Sequence, residues 1–562
     1  MLGNMNRFCR ECRAAFEVSQ QDLNFYGKIS PSFGGAVQSV PAPTLCPRCR
    51  LRRRLCFRNH IFVYLRPSST TGKQIFSMFT EDVPFPVVSK EEWWGDGWDP
   101  TSFGREFDFT KSFFEQFEPL RNAVPHFPLS VVNMENSEYC NNAGDIKNCY
   151  LVFNTNNSQD SMYCESIWNS KNCLECTHTP FSELCYDTSE CSRCYNVQSS
   201  LSCEDCRDSC FLLNCRSCAN CFGCVNLRRA EFCILNQRYS REEYERFLGS
   251  IDLASFSARS EMDLKMRQFF VQHPRPHAQT RMVENVTGNF VSESRNTFDS
   301  FLVRGADNVR FGLNLNYDVK DCYDFTLFGQ RSELLYECAI CGINAYNMRF
   351  CFDCWGGVSD LDYCWMCVSS QNCFGCVGLK KKQYCILNKQ YSQEEYQRLT
   401  GEIVKHMRTT GEWGEFFPST LSPIPYNQSY AQRFYPLSEG QARAAGHRWD
   451  VKEAISRAGG IPASQLPDGL PSADTPITVF SAKSGRPFKI TAEEIRQYRR
   501  FNVPLPRVTY DERMQQRAAE IGGLELFERA CAKSGGKILT TYAPDSPWIV
   551  WDKAVYDQEF SG

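Results

Sequence analysis

Asn220-Cys221-Phe222-Gly223-Cys224-Val225, followed by Cys233-Ile234-Leu235-Asn236, returns further along the chain as Asn372-Cys373-Phe374-Gly375-Cys376-Val377 with Cys385-Ile386-Leu387-Asn388 in the same spacing. A Tyr-Ser-x-Glu-Glu-Tyr segment follows each copy, at residues 239–244 and 391–396. Two homologous domains therefore end in the same cap. Inside each runs a shorter step of twenty-one, which links Cys164, Cys185 and Cys206, links Cys173, Cys194 and Cys215, and links Cys203 to Cys224. Cys322, Ile343, Cys364 and Cys385 keep that step in the second copy. A fixed period of this kind marks a solenoid. At about 3.3 Å per strand residue, a coil of that length is a circuit of about 70 Å, room for three short strands and three turns, which predicts a parallel β-helix. Nine-residue offsets place the cysteine columns on different walls. The Asn and Ser between them (Asn154, Asn156, Asn157, Ser158, Asn169, Asn196, Asn214) suit turns with left-handed residues.

Working outward, the expected fold is mainly β. Two tandem, cysteine-rich parallel β-helix (solenoid) domains with helical caps occupy residues 129–283 and 284–410. An N-terminal zinc ribbon with a basic cluster (1–58) and a metal-free, ribbon-like C-terminal domain (476–562) flank them. Residues 59–128 read as an α/β connector and solenoid cap, and 411–475 as a packed linker rich in Pro, Gly and aromatics. Phe113, Phe114 and Phe117 at helical spacing predict an amphipathic helix over 111–120 that covers the first solenoid, and helices at 241–248 and 393–407 are expected to seal the solenoid ends.

Composition bounds the partners and the compartment. The 562 residues are 42% hydrophobic and 14% aromatic, ample for several packed cores, and the net charge of −3 is no polyelectrolyte's. Residues 1–60 nevertheless hold ten Lys/Arg against three Asp/Glu, so an anionic partner should meet the N-terminus. No signal-like apolar region opens the chain and no run of about 18 apolar residues occurs, which predicts a cytoplasmic protein without membrane contact. Of 32 cysteines, five precede residue 60, sixteen lie between 140 and 233, ten between 322 and 385, and one is Cys531. In a long reducing-compartment chain such richness points to metal binding or buried thiols.

Cys9-x-x-Cys12 and Cys46-Pro-x-Cys49 form a pair of rubredoxin-like knuckles suited to one structural, tetrahedral zinc ion, with no coordination site left open. The second knuckle runs into Arg48, Arg50, Arg52, Arg53, Arg54 and Arg58, a candidate surface for RNA or a ribonucleoprotein because guanidinium forks grip phosphate bidentately. The competing reading is internal pairing, with residues 91–118 supplying eight acids. At the other end, Phe488, Ile495, Tyr498, Pro504, Pro506, Arg513 and Arg517 echo Phe16, Leu23, Tyr26, Pro41, Pro43, Arg50 and Arg54. Ser481, Ser484, Thr509 and Glu512 stand where the N-terminus has its four cysteines. That copy should hold no zinc.

This combination resembles a cysteine-rich zinc-ribbon and β-helix protein family of candidate phyla radiation bacteria. The resemblance is carried by Cys46-Pro-Arg-Cys49-Arg50, Glu91-Glu92-Trp93-Trp94, the two Asn-Cys-Phe-Gly-Cys caps, Gly411-Glu412-Trp413-Gly414-Glu415-Phe416-Phe417-Pro418 and Ser484-Gly485-Arg486-Pro487-Phe488. It implies architecture and zinc, and no activity.

The solenoid cysteines admit three readings: inward packing as small hydrophobes, disulfides between stacked coils, or further metal and iron–sulfur sites. The overlapping pairs Cys215, Cys218, Cys221, Cys224 and Cys364, Cys367, Cys373, Cys376 are the candidates for the last. An enzyme finds little footing. Asp187, Glu190, Glu204, Asp205 and Asp208 are the nearest approach to a carboxylate group of a carbohydrate-active β-helix, and they read as solvated turn charges. His60 and His178 stand near cysteine clusters without a catalytic pairing. The sequence thus favours a non-enzymatic zinc scaffold contacting RNA through its N-terminal arginines or a protein on its solenoid surface, with a metal-storage or redox protein and a β-helix enzyme as alternatives.

Overall fold

A computed structural model describes residues 4–59, 61–167, 169–175, 183–186, 195–451, 459–520 and 522–560. The chain divides into two compact units, each made of discontinuous segments. One joins residues 1–128 to 278–450 and 524–526; the other joins 129–277 to 451–523 and 527–562.

The second of these contains the first solenoid, a stack of parallel strands from Val131–Glu135 through Glu231–Ile234. Lys171 pairs with Glu183 and Glu183 with Tyr195, so consecutive coils are offset by 12 in sequence, and the longer coil expected from the cysteine spacing is not the repeat. The true unit is a triplet. A left-handed residue falls at nearly every third position, at Asn142, Asp145, Asn148, Leu151, Asn154, Asn157 and Asp160 and onward, and four such triplets close one circuit. A step of twenty-one is two coils less one side, and a step of nine is one coil less one side. Both keep the triplet frame while stepping to a neighbouring wall. Left-handed backbone costs an L-residue roughly 1–2 kcal/mol, which is why Asn and Asp crowd these corners. Of the turn residues named from the sequence, Asn154, Asn157, Asn169 and Asn214 are left-handed; Asn156 and Ser158 are not. Corner amides also hydrogen-bond up the stack: Asn136 donates to Asn148 and Asn148 to Asp160, each one coil on.

In the other unit the second solenoid runs from Thr280–Arg281 through Gln383–Ile386. Val303 pairs with Leu315 at the same offset as in the first solenoid, whereas Val319 pairs with Ser332 and Tyr346 with Ser359, where each coil is longer by one residue. The extra residue is absorbed at doubled left-handed corners such as Tyr317/Asp318 and Gly356/Gly357. The frame shift explains why Ile343, in step with Cys322 by count, is not in the inward column, which here reads Cys338, Cys341, Ala345, Met348, Cys351 and Cys354.

The repeated cap also has a physical reading. After the last parallel strand of each solenoid the chain turns antiparallel, and a left-handed Asn fastens it. Asn236 accepts from the Val225 N–H and donates to its carbonyl, and Asn388 does the same to Val377. A side-chain amide thus stands in for one further strand on an edge otherwise left unpaired. Gly375 is left-handed, and a Cβ there would lie 2.8 Å from the Phe113 ring. Helices Arg241–Gly249 and Gln393–Thr409, both opened by Ser-x-x-Glu capping boxes, follow the caps as expected.

Helix Phe113–Ala123 does not cover the first solenoid. It packs on the second, where Phe113 meets Tyr363 and Phe374, and Phe117 meets Trp365 and Phe417. Periodicity identified an amphipathic helix but held no information on which of two similar walls it covers. Among the described residues no helix is long and apolar enough to cross a membrane.

Candidate metal centre and its docking helix

The first ligand pair sits on a β-hairpin, Met5–Phe8 with Ala15–Val18. Its tip is a knuckle in which the Cys9 N–H bonds the Ala14 carbonyl and the Arg13 N–H bonds the Cys9 carbonyl, with Arg13 left-handed. The second pair opens a helix rather than a second hairpin: Cys46 is the N-cap of Pro47–Leu55, with proline at its first position, and Cys49 lies in its first turn. The four Sγ atoms lie within 4.8 Å of one another, and Cys12 Sγ is 3.7 Å from Cys46 Sγ. Sulfurs on a tetrahedron of about 2.3 Å bonds would be separated by about 3.8 Å, so the donor set fits a tetrathiolate metal ion. The Cys46 thiol is lowered, chiefly because Cys49 donates its S–H to it, and Cys49 is correspondingly raised. The positive end of the helix favours a thiolate at the same place.

The arginines that follow are spent inside the same unit. Arg50 is 1% exposed and Arg54 fully buried. Arg50 Nε donates to Asp324 at 2.9 Å, and its Nη1 donates to the Leu45 carbonyl. Arg53 bridges Glu337 and Glu415, both at 2.8 Å. Arg54 bonds Thr326 and Glu337 and lies 3.2 Å from Asp324. Burial works to lower the Arg50 guanidinium, but Asp324, Tyr26, Tyr336 and Glu337 together outweigh it and the group is held above its ordinary value. Arg58 is buried too, and beside it Asp353 is raised to about 6 by burial, partly offset by Arg58. Four of the six arginines proposed for a phosphate backbone are therefore closed to one; Arg48 is exposed, and Arg52 pairs with Glu11. Internal pairing prevails, yet the acids come from the second solenoid and residue 415, not from 91–118.

Sequence reasoning missed those acids. Asp324 and Glu337, and Glu175 in the other unit, occupy left-handed corner positions, and a buried Glu at a corner was visible only once the triplet frame was known.

The C-terminal copy repeats the architecture without a metal set. The Ser481 N–H bonds the Arg486 carbonyl and the Gly485 N–H bonds the Ser481 carbonyl, the same knuckle. In place of an ion, the Glu512 carboxylate accepts from Ser481 Oγ at 2.6 Å, Thr509 Oγ1 at 2.8 Å and the Thr509 N–H at 2.8 Å. Burial would raise that carboxyl, but these donors hold it below its ordinary value. Arg513 and Arg517, the counterparts of Arg50 and Arg54, pair with buried Glu175 at 2.8 and 2.6 Å. The knuckle bonds recur twice more, at Ser68 and Cys531.

The remaining sequence candidates separate. Among the described residues only the N-terminal cysteines form a group of three or more metal-ligating side chains within 4.8 Å. Cys215, Cys218, Cys221 and Cys224 do not converge, and neither do Cys364, Cys367, Cys373 and Cys376. Three-residue steps carry each thiol to the next wall, where it donates to a carbonyl two residues back. Glu204 pairs with Arg216, and Asp205 and Asp208 are exposed corner residues. Asp187, Glu190, His60 and His178 lie outside the described residues, as do the Cys194 and Asn196 side chains. No protein-family model and no curated protein matches the chain.

Proposed function

We propose that this protein is a non-catalytic zinc scaffold. One zinc ion fixes the start of the arginine helix, the helix rivets the N-terminal module to the wall of the second solenoid, and the outer faces are offered to a macromolecular partner. The observation that supports this most is continuity: Cys49, Arg50, Arg53 and Arg54 share one nine-residue helix, so metal ligand and buried ion pairs lie within two turns. With all four coordination positions taken by protein, the ion has a structural part and none in catalysis.

In this reading RNA or a ribonucleoprotein meets the knuckle face, where Arg10, Arg13 and Arg48 stay exposed, and not the cluster as a whole. Native mass spectrometry of chain purified without chelator should count one zinc at this site, lost in Cys12→Ser; an unmetallated chain rejects the zinc scaffold. Replacing Arg10, Arg13 and Arg48 by Ala should weaken RNA retention and reduce its salt dependence. Unchanged binding rejects RNA as the partner of this face.

A further inference from the structure

Beside the candidate metal centre, and inside the same unit, lies a cavity of about 410 Å³ between the knuckle tip, the helix Pro47–Leu55 and residues 411–420. That volume is in the range of small-molecule sites. The acids on its walls are all engaged by the protein. Glu11 accepts from Arg52, Glu415 from Thr44 and Arg53, and Glu412 from the N–H groups of Phe113 and Phe114 at 2.8 and 2.9 Å. The donors on the same walls are not. Among the described residues the side chains of Arg10, Ser419, Thr420 and His447 make no hydrogen bond or ion pair. The Nε of Arg53 has no hydrogen-bond partner either, although that side chain is only 8% exposed.

This imbalance sets the chemistry of an occupant. Arg52 is answered by Glu11, and Arg53 by Glu337 and Glu415, while Glu412 meets the positive end of the helix Phe113–Ala123. Burial and the nearby Arg52 hold the His447 imidazole below its ordinary value, so the ring is uncharged at neutral pH. The charge left without a carboxylate in ion-pair reach is that of Arg10. A buried N–H without an acceptor costs about 1–3 kcal/mol, which makes the Arg53 Nε a second place for one. Apolar wall is supplied by Leu45, Phe114, Phe416 and Pro418, with the Arg53 guanidinium 5.9 Å from the Phe416 ring centroid. An occupant with acceptors and negative charge at one end and a flat apolar body at the other matches both parts of the lining.

We propose that this cavity binds a small organic oxyanion, a carboxylate or phosphate group on a planar ring, with the anionic group held by Arg10 and the hydroxyls of Ser419 and Thr420. The ring lies along the wall that Phe114 and Phe416 form. Guanidinium and hydroxyl donors suit an oxyanion of either kind, since charge-assisted hydrogen bonds are the stronger ones. The site goes beyond the scaffold reading and does not depend on RNA. It places a ligand where the metal module meets the wall of the second solenoid, with Arg53 on both the cavity and the buried ion pairs.

The test is a ligand-observed NMR titration of the full chain, purified without chelator, with benzoate and phenyl phosphate, and with benzamide and benzamidine as their uncharged and cationic counterparts. At least one anion should bind about tenfold or more tighter than both counterparts, and the tighter of the two names the anionic group. Arg10→Ala should weaken anion binding roughly ten- to a hundredfold, the range of a charge-assisted hydrogen bond. Thr420→Val, which removes a hydroxyl and keeps the shape, should weaken it about two- to tenfold. Arg13→Gln, at the same knuckle tip but outside the cavity lining, should leave it unchanged. Hydrogen exchange of the wild-type chain locates the site without any variant: saturating anion should slow the amides of residues 411–420 and not those of 131–147. No binding of either anion, equal affinity for benzamide, protection that leaves 411–420 untouched, or unchanged affinity in a folded Arg10→Ala chain overturns the proposal.

Discussion

The N-terminal and C-terminal modules share a knuckle hairpin, a following helix and a pair of buried arginines in register, yet one is built around four thiols and the other around a carboxylate. Cys9, Cys12, Cys46 and Cys49 converge on a point a metal ion can occupy; Ser481, Thr509 and Glu512 converge on one another. The arginines are retained in both, Arg50 and Arg54 against Asp324 and Glu337, Arg513 and Arg517 against Glu175. The fold therefore requires something to pin the start of the helix and present its guanidiniums to a solenoid corner. A tetrathiolate ion and a hydrogen-bonded carboxylate are alternative ways to do it. They differ in strength and in response to conditions. Structural zinc binding is worth about 10–16 kcal/mol in small modules, whereas each hydrogen bond of a hub contributes roughly 1 kcal/mol net, somewhat more when charge-assisted.

The contrast can be broken most severely by removing the metal. Chelation, or Cys46→Ser with Cys49→Ser, should expose the backbone amides of Met5–Phe8 and Pro47–Leu55 to rapid hydrogen exchange while those of Ala492–Phe501 keep their protection; equal loss in both modules would mean the ion is not local to one. Next in size, Arg54→Ala takes one guanidinium from buried Asp324 and Glu337, which keep Arg50 and Arg53, and should cost about 3 kcal/mol in denaturant unfolding of its unit, the low end for a broken buried pair. Arg517→Ala should cost a comparable amount in the other unit, where Arg513 still holds Glu175. A smaller loss, roughly 1–3 kcal/mol, is expected of Glu512→Ala, which leaves the Ser481 and Thr509 donors without their acceptor.

Acid should separate the modules with the least change in energy. The Glu512 carboxyl is held below its ordinary value, so its stabilisation is present above the unfolded carboxylate range and is lost as pH falls through the lower folded value. Thiolate ligands take up protons at higher pH than that. Metal release, followed by mass spectrometry, should precede loss of protection at the C-terminal hub; the reverse order would remove the proposed difference between them.

How far the sequence reached is clearest in the cysteines. Spacing alone brought out the four cysteines that converge into a group able to hold a metal ion, because a Cys-x-x-Cys pair is a local object and two of them on a short segment have few other uses. Spacing also announced a solenoid but misjudged the coil. Steps of nine and twenty-one are both multiples of the triplet, and a square cross-section lets the same count step from wall to wall, so column periodicity and coil length are different quantities. The basic cluster misled for a related reason: six arginines in eleven residues look like a surface until a partner wall with acids at its corners is in place.

The chain by itself determined the duplication, the parallel β-solenoids, the caps, the four cysteines of the candidate metal centre and their replacement by Ser481, Ser484, Thr509 and Glu512, since each is written in local pattern or in a repeat. Only the tertiary structure decided that the arginines face inward, that the helix Phe113–Ala123 covers the second solenoid, and that the solenoid thiols are buried and donate to backbone carbonyls. Those depend on which residues lie side by side after the chain has wound through many coils, and pairings of that range leave no mark in the sequence next to either partner.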